Sequence, residues 1–431
     1  MPDSPLLVRV RRSAAETMGG LPRQFWWLWT STLINKLGAF VVTFLALYLT
    51  TDRGYSASYA GLVASLFGLG SAIASVVAGV LSDRIGRRPT LVAAQLGTAL
   101  FTAVLGFTDG QVAIAVVAFL VGFCNNATRP ATSAIIADIV PAADRVRAYA
   151  LNYWAINIGF GLSAAAAGLI ATHGYLTLFL LDALSTLICA LVIFVRIPET
   201  KPDAPLAKSG EPRVSLLTVF RDGRFMAVVG LNLLLALVAQ QGSTILAVDM
   251  GRAGITAHEY GLVIGLNGLL IVVLQIPVTK WMEGRSRTAL LVASALLIGW
   301  GFGLTALAGS SAWFYAFTVA VWTLGEILNA PTMMGLVTEL SPTRARGRYQ
   351  GVYSLSWSLA SFLGPAAGGV LLERAGSAVT WGACGVLGTV AAGGYVLLGR
   401  RPGAALAAVA EPAPVALRKA DAEPERAAAG G

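Results

Sequence analysis

The sequence predicts an all-α integral membrane protein of twelve transmembrane helices in two six-helix bundles. Three observations carry that prediction. Of 431 residues, 56% are hydrophobic and only 12% charged, half the charged share of about 25% usual in soluble domains. The chain falls into repeated apolar runs of about 20 residues, each long enough to cross about 30 Å of hydrocarbon as a helix. Positions about 200 residues apart carry related residues in register across several of these runs.

The twelve segments run over 25–50, 58–81, 90–108, 111–140, 147–172, 176–196, 225–250, 259–281, 288–308, 312–340, 349–373 and 378–398. Connections such as "DG" at 109–110 and "HGY" at 173–175 are so short that the helices they join must be antiparallel neighbours. Residues 1–24 carry arginines but no compact apolar core before a small-residue cleavage site, so they read as a cytoplasmic N-terminal segment rather than a signal peptide. Residues 25–196 form the first bundle, 197–224 a cytoplasmic linker and 225–398 the second bundle. The tail 399–431, rich in Ala, Pro, Glu and Gly, reads as a disordered cytoplasmic extension.

The net charge of +9 is explained by where the basic residues fall. Of 31 Lys and Arg, 26 lie on the side of the N-terminus and only Arg53, Arg252 and Arg374 on the other. Basic loops stay cytoplasmic during insertion, so both termini are expected in the cytoplasm of a cell inner (plasma) membrane protein. The partners this implies are the lipid bilayer, through its anionic headgroups, and no nucleic acid. Cys124, Cys189 and Cys384 fall within apolar runs and read as buried apolar side chains. His173 and His258 fall at loop-facing helix ends without metal-ligand spacing.

The internal repeat is specific. At an offset of 200, Gly61, Leu62 and Val63 meet Gly261, Leu262 and Val263, Asp83 meets Glu283, and Arg87 meets Arg287. At an offset of 201, Pro130 meets Pro331, Asp138 meets Glu339, Arg145 and Arg147 meet Arg346 and Arg348, and Gly168 meets Gly369. Two halves of like orientation, related by a pseudo-twofold axis along the membrane normal, are one way to build a carrier with its site between the repeats.

"GVLSDRIGRRP" at 79–89, between the second and third segments, resembles the signature loop of the major facilitator superfamily, fitting at Gly79, Asp83, Arg84, Gly86, Arg87 and Arg88. "LGPAAGG" at 363–369 resembles the superfamily's Gly-Pro-rich helix motif. "GEILNAP" at 325–331 and "RGRYQGVYSL" at 346–355 resemble drug:proton antiporters of the twelve-helix class, of the MdtH and LmrP kind. The antiporter pattern R-x-x-Q-G in the fourth helix is replaced here by Arg129 followed by "PATS", and the fifth-helix motif is reduced to "GFGLSAAAAG" at 159–168, without its proline.

The loop has a physical reading as a latch. The Asp83 carboxylate suits the free N–H groups at the start of the eleventh helix, near Arg348–Gly351. Arg87 suits Asp138 at the end of the fourth, and Gly79 and Gly86 allow close approach and a tight turn. The resemblance implies that this latch holds the outward-open state.

Ionisable groups within spans cost about 2.5–3.5 kcal/mol each on insertion scales and mark function. Lys36, Arg129, Asp182 and Glu326 are therefore the candidates for proton coupling or substrate contact. Glu326 leads, because the resemblance places the tenth helix on the central cavity and ionising a carboxyl group away from water costs free energy. Its repeat partner is Asn125, so the acid belongs to one half only. A salt bridge with Lys36 or Arg129 is the alternative. Asp182, on a helix that the resemblance places away from the cavity, reads rather as a structural hydrogen-bonding group. Asn35, Gln240, Gln241, Asn267, Trp322 and Asn329 are the candidate cavity contacts for a bulky amphipathic ligand. Pro130, Pro277, Pro331 and Pro365 are expected to bend their helices.

An enzyme is excluded by the lack of an assembled His, Cys or acidic constellation or a phosphate-cradling loop. The expected function is export of small amphipathic compounds by proton antiport with alternating access, by a monomer driven by the proton gradient without a cofactor. The alternative is proton-coupled uptake of a sugar or other small metabolite, hinted at by "QQ" at 240–241.

Overall fold

The computed structural model describes residues 19–141, 144–200, 216–342 and 345–400. The expected segments 1–24, 197–224 and 399–431 fall partly or almost wholly outside these residues. Among the described residues every regular element is helical. Ten helical segments there have the length and composition to cross a membrane; one of them, Arg348–Gly399, is 52 residues long and divides at Gly376. Ala312–Leu340, a helix of 29 residues, adds a further crossing. The described residues thus supply twelve crossings.

The first half holds α1 (Arg23–Asp52), α2 (Ala57–Ile85), α3 (Arg87–Phe107), α4 (Gln111–Ile139), α5 (Arg145–Ala171) and α6 (Tyr175–Arg196). A short helix, Leu216–Arg221, leads into the second half. That half holds α7 (Gly223–Ala239 continued by Gln240–Ser243 and Ile245–Arg252), α8 (Ala257–Met282), α9 (Arg287–Leu307), α10 (Ala312–Leu340), α11 (346–375) and α12 (377–399). An even number of crossings puts both ends of the described chain on one side, called here the terminal face. Gly376 makes the tight reversal between α11 and α12 with φ of 79°, a conformation side-chain-bearing residues rarely adopt.

The repeat reaches down to helix caps. On the opposite face, α2 starts at Ser56, whose hydroxyl accepts from the Tyr59 N–H at 3.1 Å. Two hundred residues on, α8 starts at Thr256, which forms a reciprocal capping box with Glu259. The packing repeats too. In the first half α1 lies on α5 and α6, α2 on α4, and α3 on α4 and α6; in the second, α7 lies on the α11–α12 pair, α8 on α10, and α9 on α10 and α12. Large apolar side chains such as Val76, Leu100, Val116, Phe194, Leu269 and Val390 stand exposed around the bundle, a surface suited to hydrocarbon rather than water.

Two helices depart from the sequence expectation. Segments 25–50 and 225–250 read as unbroken; the structure interrupts both, α1 at Gly38–Ala39 and α7 at Gln240–Thr244. The breaks are repeat-related. In α1 a side chain of another helix, Asp182 of α6, takes over a freed amide, and in α7 the Gln241 side chain of the break itself takes over the Leu237 carbonyl.

Candidate functional site

The two halves meet along two crossings exchanged by the repeat: α2 on α11, and α5 on α8. Both are lined by glycine. A β-carbon on Gly61 of α2 would lie 2.3 Å from the Pro365 carbonyl oxygen, and one on Gly369 of α11 would lie 2.5 Å from that of Ala57. The mirror contact pairs Gly261 of α8 with the Ala164 carbonyl at 2.5 Å, and Gly168 of α5 with that of Ala257 at 2.8 Å. These are the positions the sequence pairs by its repeat, so close backbone approach is what those glycines serve.

Polar contacts reinforce the crossings toward the opposite face. The Ala366 N–H donates to Ser65 Oγ at 2.8 Å, and the Tyr260 hydroxyl donates to the Thr43 carbonyl at 3.1 Å. Glu373, near the end of α11, accepts from the Ser58 N–H at 2.8 Å, in the first turn of α2. A carboxylate from one half thus sits on the positive end of a helix in the other. Toward the terminal face, Tyr149 and Tyr153 on α5 and Met334 on α10 are exposed. The halves are therefore closed on each other toward the opposite face, and Glu326 is half-buried within α10.

On the terminal face the signature loop is stitched within the first half. Gly86 has φ of 115°, and a β-carbon there would lie 2.4 Å from Glu199 Oε2. The turn presents the backbone N–H groups of Arg87 and Arg88 to the Glu199 carboxylate at 2.9 and 3.3 Å. Arg87 Nε donates to Asp138 Oδ2 at 3.1 Å, and Thr200 Oγ1 donates to the same oxygen at 3.0 Å. Arg88 lies over the Phe194 ring and donates to its carbonyl. Arg84 is exposed, and Gly79 has no atom within 4 Å of a built β-carbon. The Asp83 side chain lies outside the described residues, as do residues 343–344 just before α11. The second half repeats the ion pair with Arg287 and Glu339. Glu199 was not singled out from sequence; its signal is an acid directly after α6, in "RIPET".

The charged groups of the spans separate by half. In the second half, Asn267 Nδ2 of α8 donates to Glu326 Oε2 at 3.1 Å and to Thr323 Oγ1 at 3.0 Å. In the first half, Lys36 stands two residues before the α1 break, with Arg129 and Asp182 as its charged neighbours. Asp182 is buried and accepts from the Val41 N–H at 3.1 Å, with Phe40 also donating. It caps the restart of α1. The corresponding work in α7 falls to Gln241, whose amide donates to the Leu237 carbonyl at 2.8 Å and the Gly364 carbonyl of α11 at 3.1 Å.

The candidate cavity contacts divide. Asn267 holds Glu326, and Gln240 is partly exposed beside Gly364. Asn35 donates to Thr186 Oγ1 of α6 at 3.2 Å. Trp322 and Asn329 depart from the expectation and turn into the α9–α10 seam. Trp322 stacks on Phe302 with centroids 5.0 Å apart, and Asn329 donates to Ser294 Oγ at 3.1 Å. A third buried acid, Asp249 of α7, was missed although it lies in an apolar run. Its Oδ2 accepts from Tyr315, Ser377 and Trp381 at 3.0, 3.1 and 2.8 Å, tying α7 to α10 and α12.

Comparison with known proteins gives this architecture its place. The chain matches the Major Facilitator Superfamily over residues 28–365 and again over 242–424. It belongs to that superfamily. A Na(+), Li(+), K(+)/H(+) antiporter of Planococcus maritimus is 24% identical over 75% of this chain and 84% of its own length. The multidrug resistance protein MdtH of Cronobacter sakazakii is 24% identical over 84% and 91%. The crystal structure of the nucleoside transporter NupG superposes with a TM-score of 0.73 over 88% of this chain and 100% of its own, at 14% identity, a likeness of fold. The protein is a multi-pass membrane transporter of the superfamily.

Proposed function

We propose that this transporter exports small amphipathic compounds in exchange for protons, by alternating access of the crevice between its halves. Glu326 carries the reading. It lies mid-span and half-buried, held by the neutral amide of Asn267, and makes no ion pair with Lys36 or Arg129 among the described residues. An acid so placed can take a proton from one side and release it to the other as the halves rock. A pH unit supplies about 1.4 kcal/mol per proton, and 100 mV about 2.3 kcal/mol per charge moved. The names of the Planococcus antiporter and of MdtH support antiport and drug export. The uptake alternative leaned on Gln240 and Gln241, and the Gln241 amide donates to backbone carbonyls instead.

In this reading the terminal face is cytoplasmic and the membrane is the plasma membrane, by the bias of the basic loops. The protein works as a monomer. Asp83 closes the terminal face against α11 when the crevice opens to the other side. Everted vesicles test the export reading: accumulation of a fluorescent amphipathic dye should collapse with a protonophore and be lost in Glu326→Gln. Normal proton-driven accumulation by Glu326→Gln would remove Glu326 from the mechanism.

A further inference from the structure

Asp249 has no counterpart in the first half. Two hundred residues earlier stands Leu49, fully buried. There the outer end of α1 joins α6 by ring contacts, Tyr48 with Tyr175 and Phe179 at centroid distances of 5.3 and 5.2 Å. The second half replaces that apolar joint by a carboxylate whose Oδ2 takes three donors, Tyr315 of α10 and Ser377 and Trp381 of α12. Packing alone does not call for a charge at this corner, since the first half closes it without one.

The other carboxylate oxygen is left over. Oδ1 takes no donor among the described residues, and although Asp249 is only 5% exposed, Oδ1 is not sealed away. Asp249 borders a cavity of about 420 Å³ at the opposite face, lined also by Arg252 of α7, Ser310 of the α9–α10 loop, Tyr315, Leu372 of α11 and Ser377. Arg252 is exposed, donates to the Leu372 carbonyl at 3.3 Å and makes no ion pair among the described residues. Glu373, the acid that shares its surroundings, has its carboxylate on the Ser58 N–H. Asp249 and Arg252 stand three residues apart on one helix, which sets their β-carbons about 5–6 Å apart on a common face. A lone cation in this cavity would meet the guanidinium, and a lone anion would meet the carboxylate. A ligand carrying both charges satisfies both walls.

We propose that this cavity is a second binding site, for a small zwitterion of the amino-acid class, its ammonium on Asp249 Oδ1 and its carboxylate on the Arg252 guanidinium. The site lies wholly within the second half. Glu326 is eleven residues further along α10 than Tyr315, a rise of about 16 Å. Arg252 and Ser310 stay exposed while the halves are closed on each other toward this face, so the site is reached from the opposite side in this state. An occupant ties the outer end of α7 to the ends of α10 and α12.

Isothermal titration calorimetry of the purified protein in phosphatidylcholine nanodiscs tests this. The probes are glycine, β-alanine and 4-aminobutyrate, zwitterions of rising charge separation, against n-butylamine and butyrate, which carry one charge each. A member of the zwitterion series should bind saturably, about tenfold tighter or more than either single-charge compound, and should raise the midpoint of thermal unfolding. Arg252→Gln leaves the donors to Asp249 in place and should weaken that binding about tenfold, as should Asp249→Asn. Glu326→Gln, at a distant site, should leave it within about twofold. The comparison of probes on the unsubstituted protein decides the matter even if Asp249→Asn fails to fold. Butylamine or butyrate binding as tightly as the zwitterions, no saturable binding by any of the three, or binding undiminished in Arg252→Gln overturns the site. Zwitterion binding lost in Glu326→Gln overturns it too, because the ligand then sits between the halves.

Discussion

The two halves of this transporter share a skeleton and differ in what they place on it. Each half breaks its first helix near mid-membrane, closes on the other through a glycine-lined crossing, and pins an arginine to an acid on the terminal face. The first half bridges its broken helix with the carboxylate of Asp182, the second with the amide of Gln241. The first carries Lys36 and Arg129 within its spans, the second Glu326, held by Asn267. Symmetry is kept where the halves pack on each other, and lost in the charged groups each half carries within its spans.

The largest effect should come from breaking the shared part. Gly61→Val and Gly261→Val put a branched side chain where even a β-carbon comes within 2.3 to 2.5 Å of a backbone carbonyl. Overpacking costs about 1–3 kcal/mol, and here it falls on the state closed at the opposite face. Both variants should cut transport about tenfold or more and increase labelling of a Thr43→Cys probe from that face. Unchanged labelling would mean the crossings are not the closing surfaces. Gly79→Val meets no atom within 4 Å in this state, so it should leave that labelling unchanged, and any loss of transport would come from the state closed at the terminal face.

Next is the difference in how the broken helices are held. Asp182→Ala leaves the Phe40 and Val41 amides without their charged acceptor and should lower stability by about 1.5–3 kcal/mol. Gln241→Ala removes neutral bonds and should lower it by about 1 kcal/mol. Thermal unfolding in detergent ranks them. The reverse order would mean that the α7 break, not the α1 break, is the weaker point.

The smallest effect is at the outer contact between halves. Glu373→Gln keeps an acceptor for the Ser58 N–H but removes the charge that favours the α2 N-terminus. The population open at the opposite face should rise about two- to fivefold, read by the same Thr43→Cys labelling, and the rise should shrink in high salt. A salt-independent change would point to packing rather than charge.

Much of this was legible in the chain. The spans, the repeat offset and the loop at 79–89 follow from hydropathy and spacing, because a helix in hydrocarbon must satisfy its backbone internally and show apolar side chains outside. The positions that form the crossings were legible as repeats, Gly61 with Gly261 and Gly168 with Gly369, before their use was. The helix breaks left only faint marks, a Gly-Ala pair at 38–39 and "QQGST" at 240–244. Asp249 and Glu199 were missed because a lone acid carries no sign of its partners.

By itself, the sequence determined how many times the chain crosses, that it crosses as two related sixes, and which side gathers the arginines. These are properties of each segment against a solvent, and residue type decides them. Only the tertiary structure decided what each polar group of the spans meets. It turned Trp322 and Asn329 into the α9–α10 seam, assigned Asp182 to the amides of a broken helix, and set Glu326 on the Asn267 amide. The reason is physical: a polar side chain within a membrane span goes where a partner waits, and that partner sits on another helix, often more than a hundred residues away.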